Sequence, residues 1–164
     1  MGFQKTVNLM PCAGLPGGEV VKGQAVYAAE NYVSDGTLEV GQFAFVAAAD
    51  GEGEKFGFAG KTGTKLIGFV ERNLIGNLRN VFVEASDVLQ QGAAGNIAVR
   101  GAFYMLATGA ATEGQAVLCD PATGEVTYGV KGAANDTGWK VHLPAGVAEV
   151  EEGDLIIVEN WTAA

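Results

Sequence analysis

The feature that most constrains this chain is a phrase that occurs four times: a glycine, then Gln or Asp, then a short apolar run. The copies are GQAVYAA from Gly23, GQFAFVA from Gly41, GQAVLC from Gly114 and GDLIIVE from Gly153. Glycine takes the positive φ that a tight turn requires, and the short apolar run behind it reads as a strand. The polar second residue belongs at the rim of that turn. The first and third copies extend furthest, with YAAENYVSDG after one and LCDPATGEV after the other. A shared turn-to-strand solution accounts for this more simply than an internal duplication.

The stretch from Asn96 to Cys119 reads as two strands joined by a small-residue turn. Ile97, Val99, Gly101, Phe103 and Met105 line one face of the first, with Ala98, Arg100, Ala102, Tyr104 and Leu106 on the other. Both faces are largely apolar, which predicts an inner strand. Thr108 to Ala111 and Gly114 then predict a hairpin into Gln115–Cys119. Further strands are expected over Lys65–Glu71, Asn80–Glu84, Glu125–Val130, Trp139–Leu143 and Leu155–Trp161.

Helical periodicity is not sustained anywhere, and Ala85–Gln91 offers one or two helical turns at most. The 25 glycines fall singly between apolar runs and mark turns rather than a linker. With 48% hydrophobic residues in 164, the chain supports one core, and 18% charge with four prolines argues against long disorder. A mainly β, single-domain fold with little helix follows, of the sandwich, jelly-roll or barrel kind.

Residues 1–10 alternate, with Phe3, Lys5, Val7 and Leu9 on one side and Gln4, Thr6 and Asn8 on the other. They read as an N-terminal arm or a first strand. Pro11 to Gly18, PCAGLPGG, is a Pro/Gly-rich loop that breaks regular structure, and residues 19–164 form the β-rich body, the β-sandwich body if the sandwich alternative holds.

The net charge of −9 argues against the function classes that live on phosphate: a nucleic-acid binder or a protein of anionic membranes. No apolar run approaches the ~20 residues of a membrane span, so a soluble protein is expected. Cys12 and Cys119 are in no C-x-x-C arrangement, and MGFQKTVNL lacks a basic n-region and an apolar h-region. Two free thiols in a reducing cell are expected rather than a disulfide.

Catalytic patterns fail on their own spacing. His142 is the single histidine, which removes multi-histidine metal sites and leaves one base for a triad. In WKVHL it reads as structural. Phe58–Lys65, FAGKTGTK, contains GKT, but a phosphate loop needs glycine where Lys55 stands, and a flexible hairpin loop is the better reading. Asp50, Glu52 and Glu54 alternate as in a calcium loop, yet the required glycine and bidentate acid fall on Lys55 and Lys61; a solvated hairpin tip is expected. Asn135 and Asn160 begin N-x-T sequons that, without a secretory signal, meet no glycosylation machinery. Glu151 and Glu152 read as an exposed rim before a turn glycine. No catalytic residue, cofactor or metal site is predicted.

Taken in order, MGFQKTVN, GQFAFV, LIGFVER (Leu66 to Arg72), GNIAVRGAFYML, GQAVLCDPATGEV, GWKVHLPAG and the terminal GDLIIVENW resemble the structural cement proteins of tailed bacteriophages. MGFQ-x-TVN is the most specific piece. Cys12 and the GLPGGE loop depart from the pattern. The resemblance implies a jelly-roll-like β-sandwich, made in the bacterial host cytoplasm, that decorates the outer capsid surface. It also implies a homodimer or homotrimer that bridges neighbouring major capsid protein subunits, with no enzymatic role and no nucleic-acid or membrane partner.

Candidate capsid or oligomer contacts are Phe3, Val7 and Leu9 on the arm, and Trp161 close to the chain end. The arm either docks on a neighbour or forms the first strand of its own sandwich. Trp139, Tyr27, Tyr32 and Tyr104 are further aromatic candidates, most of them expected in the core. The polar loop Asp50–Lys65 is a candidate contact with a solvated tip as its default. Two other classes stand beside this one: a β-sandwich binding carbohydrate or peptide, and a small β-rich hydrolase using carboxylates and His142.

Overall fold

The computed structural model describes residues 14–47, 57–72 and 87–161. Twelve strands and no helix form among them: β1 (Val26–Tyr27), β2 (Tyr32–Ser34), β3 (Phe43–Val46), β4 (Gly57–Gly60), β5 (Leu66–Val70), β6 (Ile97–Leu106), β7 (Ala111–Thr112), β8 (Ala116–Cys119), β9 (Val126–Gly129), β10 (Asp136–His142), β11 (Glu149–Val150) and β12 (Leu155–Asn160). The mainly β expectation holds. The expected strands at Met1–Leu9 and Asn80–Glu84, the acidic tip from Asp50 to Glu54, and Cys12 lie outside the described residues.

All four repeated phrases open on a left-handed glycine: φ is 78° at Gly23, 81° at Gly41, 79° at Gly114 and 89° at Gly153. A side chain is strained at such angles, so the glycine sets the turn. In the last two copies the polar second residue closes that turn. Gln115 Oε1 accepts from Thr112 N at 2.8 Å, and Asp154 Oδ2 accepts from Glu151 N at 2.9 Å.

The ladder runs β2-β4-β3-β5-β6-β12-β10-β8-β9, with β1 also on β6; β7 and β11 form a separate pair. β6 is the spine. Segment 17–28 follows one edge of it, bonded from Ala28 N to Ile97 O at 2.9 Å and from Val20 N to Ala102 O at 2.8 Å. β5 and β12 therefore share the other edge, β5 on Ile97 and Ala98 and β12 on residues 101–106. Two sheets leave one edge of one strand and fold face to face.

The closure is visible in the core. β3 and β10 are four ladder steps apart, about 19 Å in a flat sheet. Yet the rings of Phe43 and Trp139 meet edge to face with centroids 6.1 Å apart, and Phe69 lies 5.7 Å from Trp139. With Phe103, Met105, Val141, Ile156 and Val158 they fill the main core between the sheets, and the fold is a β-sandwich.

Four local expectations are corrected. β6 and β8 form no hairpin, since β12 and β10 lie between them; two-sided apolar β6 finds better cover in the centre than beside its sequence neighbour. The two faces of β6 also exchange. Tyr27 pairs with Ala98 but Val26 with Arg100, a bulge that puts Ala98 in the main core with Phe103 while Ile97 joins a second cluster. Residues 87–91 form no helix and instead bridge from Val88 to Glu39. Finally, Lys61–Lys65 is not a hairpin loop, because β4 and β5 flank β3 and pair with it rather than with each other.

Candidate functional site

Among the described residues the two sheets are covered unequally. Around β3 and β5 both faces are buried by the chain itself. Phe43, Phe45 and Phe69 face the main core, while Ala44, Ala59 and Val70 pack with Leu38, Val40, Leu89 and Ile97. In the sheet of β6, β12 and β10, Phe103, Met105, Ile156, Val158, Trp139 and Val141 point inward. Alternation turns Tyr104, Leu106, Leu155, Ile157, Glu159, Lys140 and His142 to the opposite face.

That outer face has an apolar centre. Leu106 stands opposite Leu155, Tyr104 opposite Ile157, and Ile157 opposite His142. Leu106 is 45% exposed, and Tyr104, Leu155 and Ile157 are half-buried. Residues 14–18 extend the patch at one side. Gly17 N donates to Tyr104 O at 2.7 Å, Tyr104 N to Gly18 O at 2.9 Å, and Arg72 Nε to Pro16 O at 2.7 Å. Gly14 lies so close to the Tyr104 ring that a Cβ there would overlap it. Leu15 is left exposed beside an open hollow of 600 Å³ lined also by Glu19, Lys22 and Arg72.

The margin is ionic. Lys140 Nζ is 3.0 Å from Glu159 Oε1, and Trp161 Nε1 donates to Glu159 Oε2 at 2.9 Å. Partial burial acts to raise the Glu159 pKa, but the hydrogen bonds from Lys140 and Trp161 outweigh it, and the carboxyl sits below its ordinary value. His142 Nδ1 is 3.1 Å from Glu113 Oε1, and Leu143 N donates to the other oxygen of Glu113. That backbone bond first, and His142 second, hold the Glu113 carboxyl low. An apolar centre with a polar, paired rim is the anatomy of a protein–protein contact.

Of the predicted contacts, Phe3, Val7 and Leu9 lie outside the described residues. Trp161 follows β12 and is 45% exposed. The expectation that most of the aromatic candidates are core is corrected. Trp139 alone is buried; Tyr27 is exposed, and Tyr32 and Tyr104 are half-buried. The Tyr27 hydroxyl is pushed above its ordinary pKa by burial and by its bond to Glu71. Sequence reasoning missed Leu15, Leu106, Leu155 and Ile157. The signal was the unbroken LIIV of β12, since a strand covered on one face alternates and this one does not.

Among the described residues no group of three or more His, Cys, Asp or Glu is placed to hold a metal ion, and no helix is long and apolar enough to cross a membrane. Fold and surface together define a β-sandwich protein with a partly apolar outer sheet face. The chain matches the phage cement family, described as structural cement protein (E217 gp24/Pam3 gp6), over residues 3–160, and it belongs to that family. It is a phage structural protein of the virion, associated with capsid protein. No curated protein matches the chain in sequence.

Proposed function

We propose that this protein binds the outer surface of the assembled capsid through the face of β6, β12 and β10, bridging neighbouring major capsid protein subunits as a homo-oligomer and stabilising the shell. The observation that carries the reading is the outward-facing apolar row of Leu106, Leu155 and Ile157, left exposed or half-buried among the described residues, in a member of a cement family. The role requires no bond to be made or broken. It needs a rigid body, a complementary surface and many copies.

A specific contact of standard size buries about 1,600 Å² in total. An oligomer that engages two subunits makes the second contact intramolecular, which multiplies apparent affinity by ~10²–10⁴. The arm of residues 1–10, with Phe3, Val7 and Leu9, adds a contact on a neighbour, the Pro/Gly-rich loop 11–18 separating it from the body at 19–164. Trp161 stands beyond the Lys140–Glu159 pair and outside the apolar centre. A net charge of −9 favours protein over nucleic acid or anionic membrane as the partner.

The test is co-sedimentation of the purified protein with capsids that lack it, followed by electron microscopy. Density on the outer surface between capsomers, lost when Leu106→Glu and Ile157→Glu are combined, is the expected result. Internal or tail-only density, or full occupancy by the double variant, overturns the proposal.

A further inference from the structure

A second surface adjoins the ionic margin, shares Lys140, Glu159 and Trp161 with it, and has a different chemistry. Asp136 pairs with Leu118 and Lys140 with Ala116, so β10 spends four residues where β8 spends two. The bulge centres on Gly138, at φ 78°, where a Cβ would meet, beyond the adjoining residues 137 and 139, Asn160 Nδ2 at 3.9 Å. Bulges of this kind bend a strand and open space beside it. Here the space is a hollow of 320 Å³ with Gly114, Ala116 and Gly138 among the residues that line it. Trp161, Lys131, Lys140, Asp136 and Glu159 complete the wall.

The wall dictates what fits. Lys131 and Lys140 balance Asp136 and Glu159, so neither a polyanion nor a cation is favoured. Each oxygen of Asp136 accepts one backbone N–H, from Gly132 at 2.6 Å and Gly138 at 2.8 Å, and retains acceptor capacity. Lys131 makes no hydrogen bond or ion pair with the described residues. Trp161 is pinned through Nε1 to Glu159, and its exposed indole supplies a rigid aromatic surface. A purely apolar occupant would leave the ammonium and carboxylate groups desolvated without partners, which costs more than its burial returns. A neutral ring with hydroxyls at its edge and C–H groups on its face satisfies all of these at once.

We infer that this hollow is a binding site for a neutral pyranose unit of a saccharide, stacked on Trp161 and hydrogen-bonded by Lys131 and Asp136. The inference is independent of capsid docking and gives the decorated particle a second partner, a glycan.

The two tryptophans make the test direct, because Trp139 is 2% exposed and Trp161 45%, so solute effects on emission report the hollow. Tryptophan fluorescence and saturation-transfer NMR would be followed during titration with neutral oligosaccharides of glucose, galactose, mannose and N-acetylglucosamine. At least one is expected to give a saturable response in both readouts, weakened in Lys131→Ala; by saturation-transfer NMR, which does not need the indole as its reporter, the apparent affinity should fall tenfold or more in Trp161→Ala and persist in Trp161→Phe. Capsid co-sedimentation of Lys131→Ala should stay within twofold of wild type, which separates this site from the docking face. No saturable response to any of the four sugars, or a response unchanged in Trp161→Ala, overturns the inference.

Discussion

Ile157 of β12 stands directly opposite Tyr104 of β6 on the face turned away from the core, while Val158 next to it is fully buried against Phe103. One strand thus carries two apolar rows, one inside the core and one outside it. Ile157→Glu should weaken capsid binding by tenfold or more, as expected for a residue at the centre of a contact. Its melting temperature should stay close to wild type, because the side chain is outside the main core. Binding isotherms on capsids and thermal unfolding of the free protein check the two halves; a large drop in melting temperature with binding intact would reverse the assignment.

The inner row behaves oppositely. Phe43 touches Phe69 with centroids 5.4 Å apart and Trp139 at 6.1 Å, joining the sheets where they close. Phe43→Ala should cost about 3–5 kcal/mol in denaturant unfolding. A double-mutant cycle with Trp139→Leu should return a coupling of about 0.5–1.5 kcal/mol beyond the area lost. Additive effects would mean that the rings fill space without aromatic pairing.

The strands were legible because their signals are local. Glycine before an apolar run marks β3, β8 and β12 within a residue or two of where they form. Partner choice was not legible. Ala116–Cys119 looks like the return strand of β6 because a turn of small residues precedes it, yet it pairs with β9 and β10. Nothing local to Thr108–Gly114 records that two strands from the other end of the chain insert there. The proposed docking face was half legible: LIIV announces two apolar faces, but only the register with Leu106 and Tyr104 says which residues share the outer one.

Gly101 marks the exchange of faces in β6. Its φ is 138°, and a Cβ there would lie 2.9 Å from the Phe103 ring and 3.3 Å from Ala25 Cα. Gly101→Ala should destabilise by more than ~1 kcal/mol, since both the backbone angle and the space oppose it. Chemical denaturation checks this, and an unchanged midpoint would show that β6 accommodates the bulge without glycine.

Cys119 is buried in the main core as a free thiol, and burial first, with the Asp120 charge second, pushes its pKa up to about 12. The thiolate is the reactive form, so the native protein should protect it. In a Cys12→Ser background, a thiol reagent at pH 8 should label less than a few per cent of the native protein and all of it in denaturant. Rapid labelling of the native state would place Cys119 at the surface.

Glu113 ties the turn before β8 to the end of β10 through Leu143 N and His142. Its carboxyl titrates below the ordinary 4.5 when folded, so the folded state binds its proton less tightly than the unfolded chain does. The stabilisation is therefore complete above pH 4.5 and disappears as pH falls through the lower folded value. Glu113→Gln should lower the melting temperature at pH 7, and the gap to wild type should close on acidification below 4.5. Thermal melts of both proteins from pH 7 to pH 2.5 read this directly. A gap that stays constant across that range would mean that Glu113 acts through packing or through a hydrogen bond that glutamine keeps, and that its charge contributes nothing.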